Sequence, residues 1–155
     1  MAKITEIMRH VCFTTNKNNT VRDVIKQLAD EHIGWIPIVD DDNRLLAYIT
    51  DGDIIRYISK KRHRFYDHGD LIAIEADEEA IESKVRSLLD IPVIEIAGKK
   101  NNVYATVDNE IEEVAEMFRQ GHLRLIAVLD DKKVVGVVNE SDIVRHILLS
   151  FLPEE

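Results

Sequence analysis

The chain contains an internal duplication, and this feature restricts its fold more than any other. Residues 28–58 align with residues 118–147 when a one-residue gap is placed at Asn43. The identical pairs are His32 with His122, Ile36 with Ile126, Asp40 with Asp130, Asp41 with Asp131, Asp53 with Asp142, Ile54 with Ile143, Arg56 with Arg145 and Ile58 with Ile147. Unrelated strand-turn-strand units share an apolar rhythm, but they do not share His, Asp and Arg in register. The sequence therefore predicts two copies of one unit.

Each copy predicts the element order β-α-β-β-α. Apolar spacing of i, i+3, i+4, i+7 indicates amphipathic helices at 20–31, with Thr20 as N-cap, and at 110–120. Short apolar runs indicate strands buried on both faces. The predicted strands are 11–15, 36–39 and 45–49 in the first copy, and 103–107, 126–129 and 134–138 in the second, with final helices from Ile54 and from Ile143.

The region between the copies is longer than a simple link. Apolar residues predict a helix over 76–89, which Pro92 would end. The run 93–96 (VIEI) predicts an extra strand, and Ile96 and Val103 bracket a turn-like segment that favours a hairpin. We therefore divide the chain into a first unit at 1–62, a linker with a helix at 63–92, and a second unit at 93–155.

Composition excludes several classes of protein. The formal net charge is −9, with 29 acidic and 20 basic side chains, which disfavours nucleic acid and anionic membranes as partners. No apolar run approaches the roughly 20 residues of a membrane helix, and residues 1–6 lack the apolar core of a secretory signal. The single cysteine, Cys12, excludes an internal disulfide and indicates a reducing compartment. We expect a cytoplasmic protein that binds neither nucleic acid nor membrane.

One concentration of positive charge interrupts this acidic composition, at residues 60–64 (KKRHR). It follows the last helix of the first copy, where cations interact favourably with a helix C-terminus. The alternative is that this basic stretch binds a polyphosphate, a cyclic dinucleotide or a partner protein. A nucleic-acid role would rest on this stretch alone.

The sequence shows neither metal-ligand spacing nor a catalytic constellation. The six histidines, at positions 10, 32, 63, 68, 122 and 146, are not spaced as metal ligands. The motifs Gly-x-Ser-x-Gly, Gly-x-x-x-x-Gly-Lys-Ser/Thr and Gly-x-Gly-x-x-Gly are absent. We expect no metal and no enzymatic activity. A small nucleotide hydrolase is an alternative, but it lacks a paired base and nucleophile.

The repeated motif resembles the tandem cystathionine-β-synthase (CBS) domain pair, or Bateman module. That family has an apolar-Pro-apolar-apolar strand, an acidic turn, a second strand, and Gly-x-x-Thr/Ser-x-x-Asp entering a helix. The first copy reads IPIV at 36–39 and AYITDGD at 47–53, and the second reads IAVL at 126–129 and GVVNESD at 136–142. Ala47, Ala127 and Asn139 depart from the family's Gly, Pro and Thr or Ser. The resemblance extends from Ile4 to Leu149.

The resemblance implies an α/β (α+β) fold of two tandem β-α-β-β-α CBS units, related by pseudo-twofold symmetry with their sheets packed together. It also implies a homodimer and two clefts that bind an adenosine-containing ligand: AMP, ADP, ATP, S-adenosylmethionine or a cyclic dinucleotide. We expect a stand-alone regulatory or sensor module. An adenine nucleotide would be its regulatory ligand, no cofactor would be required, and an unknown partner protein would receive the signal. The alternative is a ligand-free dimerisation or protein-interaction module.

The resemblance also implies which residues bind. Asp53 and Asp142 would accept hydrogen bonds from ribose hydroxyls, and a helix N-cap is the structural alternative for both. Thr50 and Asn139 would help to hold ribose or phosphate, with local turn bonding as their alternative. Base contacts are expected from Gly34, Trp35 and Cys12 in the Asp142 cleft and from Arg124, Leu125 and Asn102 in the Asp53 cleft. Weaker candidates for phosphate contacts are Arg56 and Arg145, each one helical turn after an Asp.

Overall fold

The computed structural model describes residues 2–10, 13–30, 34–59, 63–68, 71–76, 81–98, 103–121 and 123–153. For residues 30, 63–68 and 71–76 it describes the backbone alone. Within these ranges, no helix is long and apolar enough to cross a membrane.

Two units of the predicted order β-α-β-β-α account for most of the described chain. The first contains β1 (Thr15–Asn16), α1 (Val21–Asp30), β2 (Trp35–Val39), β3 (Leu45–Thr50) and α2 (Asp51–Ser59). Between the units lie β4 (His63–His68), β5 (Leu71–Ala76), α3 (Ile81–Leu89) and α4 (Val93–Ile96). The second unit contains β6 (Tyr104–Thr106), α5 (Ile111–Gly121), β7 (Leu125–Asp130), β8 (Lys133–Asn139) and α6 (Glu140–Leu149). The predicted mixed α/β fold is therefore confirmed.

The two sheets have the same topology. In each, a short first strand pairs in parallel with the middle strand, and the middle strand pairs antiparallel with the third. Both middle strands shift register at equivalent places, between Ile38 and Val39 and between Val128 and Leu129. Matching bulges at matching positions support a common origin of the two units.

The region between the units differs from its prediction in two places. Residues 63–68 and 71–76 form an antiparallel hairpin (β4, His63–His68; β5, Leu71–Ala76), and the helix α3 begins only at Ile81. The predicted strand at 93–96 is wrong, because Val93–Ile96 is a short helix, α4. Pro92, with φ of −57°, precedes its first turn, and Val93 and Ile96 both pack on the first unit. Residues 99–102 of the predicted hairpin lie outside the described residues.

The segment that leads into each unit packs on the other unit. Ile4, in a 3₁₀ turn at Ile4–Glu6, is fully buried in the core of the second unit, and its N–H donates to the Asn109 carbonyl (2.9 Å). Val93 is fully buried in the core of the first unit, and its N–H donates to the Asn19 carbonyl (2.9 Å). This reciprocal exchange gives the predicted pseudo-twofold relation a physical basis.

Besides the cores of the two units, a third apolar cluster joins the two sheets. It contains Val39 and Tyr48 from the first unit and Ala127, Leu129 and Val134 from the second. Burying these side chains removes apolar area from water, at about 25 cal/mol per Å². The two sheets therefore form one layered core, and the N-terminal ends of α2 and α6 lie beside the joined strands.

Candidate ligand-binding site

The N-terminus of α2 is built around Asp53, whose side chain is only 5% exposed. Its Oδ2 accepts the Thr50 N–H (3.0 Å), and the Thr50 hydroxyl oxygen accepts the Asp53 N–H (3.1 Å). These reciprocal bonds form a capping box, which satisfies N–H groups that have no partner inside the helix. The Thr50–Asp53 corner is therefore held rigidly at the end of β3.

The N-terminus of α6 repeats this arrangement with an amide in place of the hydroxyl. Asn139 Oδ1 accepts the Asp142 N–H (2.8 Å), and Asp142 Oδ2 accepts the Asn139 N–H (3.0 Å). Asn139 thus keeps the local bond that Thr50 makes, and the Ser141 hydroxyl also donates to its Oδ1 (2.8 Å). The local bonding predicted as the alternative for Thr50 and Asn139 is present in both units, and it leaves one carboxylate oxygen of each Asp outside the capping box. The helix N-cap predicted as the alternative for Asp142 is wrong, because Asn139 is the N-cap of α6 and Asp142 lies three residues later.

That second oxygen accepts from a different arginine in each unit. Asp53 Oδ1 accepts from Arg56 Nη1 (2.9 Å), one turn further along α2. Asp142 Oδ1 accepts from Arg9 Nε (3.2 Å) and Nη2 (3.0 Å), and the equivalent of Arg56, Arg145, is exposed on α6. Arg56 and Arg9 are 66% and 54% exposed, so solvent weakens both ion pairs, to about 0–1 kcal/mol each.

Gly136 allows Arg9 to reach Asp142. The backbone of Arg9 pairs with that of Val137 in β8, with both N–H groups donating (2.8 and 3.1 Å). A Cβ on Gly136 would lie 2.8 Å from Met8 Sδ and 2.9 Å from the Arg9 carbonyl oxygen, which is too close for real contacts. The first unit has Ala47 at the equivalent position, so its strand presents a methyl group there.

At the Asp53 corner, Gly98 occupies the place that Arg9 occupies at the Asp142 corner. When the segments that lead into the units are aligned, Lys3 to Arg9 match Pro92 to Gly98. A Cβ on Gly98 would lie 3.1 Å from Asp53 Oδ1, so position 98 abuts Asp53 as Arg9 abuts Asp142. Lacking a side chain there, the segment leaves Asp53 Oδ1 to Arg56.

Gly34 and Trp35, two of the predicted base contacts, lie at the start of β2. The Gly34 carbonyl accepts the Asp51 N–H (3.0 Å), which places Gly34 against the first turn of α2 in its own unit. Trp35 pairs with Thr50 across the strands, packs against the core of the second unit, and lies with its ring 5.7 Å from that of Tyr48. Trp35 thus packs across the boundary between the units, and its contact with a base stays a prediction.

The corresponding residues of the second unit lie at the start of β7. Leu125 is half-buried, pairs with Asn139 and packs on the cluster between the sheets, while Arg124 is exposed just before it. Cys12 and Asn102 lie outside the described residues. So do residues 60–62 of the basic stretch, and for 63 and 64 the backbone alone is described.

Chemically, both corners offer a rigid carboxylate at a helix N-terminus beside a cation. An ionised carboxylate accepts hydrogen bonds and suits a diol such as ribose, while a helix N-terminus and an arginine attract anions. In the described part of the chain, no group of three or more His, Cys, Asp or Glu side chains is placed to hold a metal ion.

Arg9 and Gly98 were not predicted as site residues, because the repeat was not aligned upstream of the first helix of each unit. The signal was present upstream: Glu6 matches Glu95, and Ile4 and Ile7 match Val93 and Ile96. Extending the alignment to the leading segments would have placed Arg9 opposite Gly98.

The model of the CBS domain family matches residues 4–60 and 92–149. The chain belongs to the CBS domain family. The two matched ranges cover most of the chain, and together they contain both capping-box corners.

Curated relatives share this CBS pair at low identity. An uncharacterised protein of Methanocaldococcus jannaschii, MJ1404, is 24% identical over 94% of this chain, which covers 32% of that protein. Hypoxic response protein 1 of Mycobacterium tuberculosis is 23% identical over 95% of this chain and 86% of its own length. This chain spans about a third to a half of the length of the first relatives it matches. It also matches a quarter or less of two enzymes, a homoserine O-acetyltransferase and an inosine-5'-monophosphate dehydrogenase.

Solved structures share the fold. The structure of CBSX2 in complex with AMP has a TM-score of 0.71 at 14% identity, covering 97% of this chain and 98% of that one. The CBS domain pair of MJ0100, in complex with 5'-methylthioadenosine and S-adenosyl-L-methionine, has a TM-score of 0.67 at 21% identity, covering 97% and 98%. These likenesses confirm the tandem CBS architecture of this chain.

Proposed function

We propose that this CBS pair is a regulatory module that binds an adenosine-containing ligand beside Asp53, beside Asp142, or at both. The observation that carries the proposal is the pair of carboxylates, 5% and 9% exposed, each held in a capping box at a helix N-terminus with one oxygen outside it. Two equivalent corners of this kind suit the ribose and phosphate of a nucleotide. The complexes of CBSX2 and MJ0100 with adenosine compounds support the choice of ligand class.

Binding at either corner brings ribose hydroxyls into competition with an arginine. Hydroxyls that bind Oδ1 of Asp53 or Asp142 compete with Arg56 or Arg9 for that oxygen and can release the arginine. The released guanidinium then needs a new partner, and a phosphate provides one. The ion pairs therefore favour an anionic nucleotide over a neutral nucleoside. A change in arginine position on binding is also a signal that a partner protein can read.

The proposal includes a homodimer. Ile55 on α2 and Val144 on α6 occupy equivalent positions, and both are exposed, as are Leu148 and Phe151 near the end of the described chain. Exposed apolar side chains at equivalent positions of two units suit a symmetric contact with a second copy.

A ligand-free interaction module is the second candidate. The specific observation in its favour is that both carboxylates already have arginine partners. An occupied carboxylate supports a helix corner without any ligand. The partial match to enzymes does not favour catalysis by this chain, because a paired base and nucleophile were not found in the sequence.

Thermal unfolding with separate additions of AMP, ADP, ATP, S-adenosylmethionine and cyclic di-AMP tests the proposal. At about 100 times its dissociation constant a ligand adds about 2.7 kcal/mol, which raises Tm by about 5–10 °C for a protein of this size. A rise with at least one of them that is lost in Asp53→Ala or Asp142→Ala supports it. No rise with any of them, in protein free of co-purified nucleotide, would shift the conclusion to the interaction module.

A further inference from the structure

The hydroxyl of Tyr48 bonds across the boundary between the two units. It donates to the Val103 carbonyl (2.7 Å) and accepts the Ala127 N–H (3.0 Å). Tyr48 is 6% exposed and Ala127 is fully buried. The bond to Ala127 is therefore shielded from water, while the bond to Val103 is partly buried. At a buried site, solvent does not replace a lost hydrogen bond.

These bonds lie where two strands of the second sheet begin to pair. Ala127 pairs with Tyr104, the first residue of β6, and Val103 directly precedes Tyr104. The hydroxyl lies between an N–H of β7 and the carbonyl that leads into β6, and so joins the two strands at their first point of pairing. A side chain from the first unit thus completes the ladder of the second.

The arrangement has no equivalent on the other side of the pseudo-twofold axis. The position equivalent to Ala127 is Pro37, which has no N–H to donate. The position equivalent to Tyr48 is Val137, which has no polar side-chain atom. The N–H donor and the hydroxyl acceptor therefore occur together on one side of the pseudo-twofold axis, and both are absent at the equivalent positions on the other side. This is expected for two substitutions that depend on each other.

The bonded side is the side of the Asp53 corner. Tyr48 lies two residues before Thr50 on β3, so its backbone leads directly into the capping box of Asp53. Ala127 lies two residues after Leu125 on β7, and Leu125 is predicted to contact a base in the same cleft. The hydroxyl therefore links the carboxylate side of that cleft to its base side.

We propose that Tyr48 is the positioning residue of the Asp53 cleft. Its hydroxyl fixes the distance between the Thr50–Asp53 corner and the strands β6 and β7, while the Asp142 cleft has no such bond. The Asp53 cleft is then held in one geometry before ligand arrives, which reduces the ordering that binding requires. The role in binding rests on the proposed function, whereas the bond between the units does not.

The first test needs no ligand. Tyr48→Phe removes only the hydroxyl, so it leaves the buried Ala127 N–H without this acceptor. We expect Tyr48→Phe to lower Tm by about 4–8 °C and to raise the exchange rate of the Ala127 amide hydrogen at least about tenfold. Tyr104→Phe, at an exposed tyrosine beside the same strands, is the matched control and should leave Tm within about 1 °C.

The second test measures AMP binding to each cleft separately. In an Asp142→Ala background, which leaves the Asp53 cleft, Tyr48→Phe should weaken AMP binding about tenfold. In an Asp53→Ala background the same change should alter binding less than twofold. A purely structural role would weaken both clefts alike.

The outcomes separate the two proposals. Equal weakening in both clefts, or none in the Asp53 cleft, overturns the positioning role. If the native protein binds no AMP, the proposed function fails for this ligand, and the positioning role fails with it. A protected Ala127 amide that Tyr48→Phe exposes would still support the bond between the units, and an Ala127 amide that exchanges freely in the native protein overturns that as well.

Discussion

The Asp53 and Asp142 corners have the same local design and different surroundings. Each carboxylate closes a capping box at a helix N-terminus, but Asp53 takes its arginine from its own helix and Asp142 takes it from the segment that leads into the first unit. The first corner lies beside a polar bond between the units, through Tyr48, and the second lies beside the paired backbones of Arg9 and Val137. A duplicated motif therefore preserves local chemistry while its long-range partners diverge.

Small differences in side-chain size explain much of this divergence. Gly136 permits close approach of the leading segment, which brings Arg9 to Asp142, whereas Ala47 at the equivalent place carries a methyl group. Gly98 adds no cation to Asp53. The predictions below test whether these differences make the two corners functionally unequal, starting with the largest expected effect.

Removing the carboxylates should have the largest effect. Asp53→Ala and Asp142→Ala should each weaken AMP binding in their own cleft about 100-fold, because each removes a charged acceptor for two hydroxyls at about 1.5 kcal/mol or more per bond. Isothermal titration calorimetry would show the loss of one site in each variant if both clefts bind. Glu140→Ala, which removes an exposed acidic group from the first turn of α6, is the matched control and should bind as the native protein does. Unchanged binding in both Asp variants would contradict the site.

A methyl group at position 136 should disrupt the close approach of the leading segment to β8, which brings Arg9 to Asp142. Gly136→Ala should lower the free energy of unfolding by about 1–3 kcal/mol, because the new Cβ meets the backbone of Arg9 at 2.9 Å. The equivalent exchange in the first unit, Ala47→Gly, should cost about 1–2 kcal/mol, through chain entropy and the loss of a buried methyl group and not through a steric clash. Urea unfolding of both variants measures the difference, and a Gly136→Ala variant as stable as the native protein would contradict the close approach.

Removing the arginines should have a smaller effect on stability and should change the binding of AMP relative to that of adenosine. Arg9→Ala and Arg56→Ala should each lower the free energy of unfolding by at most about 1 kcal/mol, because both guanidinium groups are more than half exposed. Each should strengthen binding of neutral adenosine and weaken binding of AMP, in its own cleft only. Titrations with both compounds measure this, and parallel changes for adenosine and AMP would contradict an exchange of partners.

The turns between the central strands should give the smallest effect. In the first unit, the Arg44 N–H donates to the Asp40 carboxylate (2.9 Å), and this bond, with a second from the Asp42 N–H, lowers the pKa of Asp40 below its usual 3.8. A lowered pKa stabilises the folded state above about pH 4, and this contribution is lost as the pH falls through the folded-state pKa. Asp40→Ala should therefore reduce the loss of stability in that acidic range. Urea unfolding between pH 2 and pH 5 measures it, with Asp130→Ala as the equivalent variant in the second unit.

Much of the fold was predictable, because its signals are local. Apolar periodicity and the repeat placed the elements of both units close to their observed positions. The prediction for the linker was wrong at a short apolar run that suits either a strand or a helix. Val93 and Ile96 suit a strand by composition, but after Pro92 they form one helical turn and pack on the first unit. The hairpin β4–β5 was not foreseen, since residues 63–76 show no clear alternation.

By itself the sequence determined the two-unit architecture and the two aspartates in the first turns of α2 and α6, because a capping box depends on residues three positions apart. Only the tertiary structure decided which arginine each aspartate meets and that Tyr48 bonds to Ala127. Those partners lie 133 and 79 residues apart for Arg9–Asp142 and Tyr48–Ala127. Such contacts depend on how closely packed segments approach, and a single Cβ or a single N–H is enough to permit or prevent that approach.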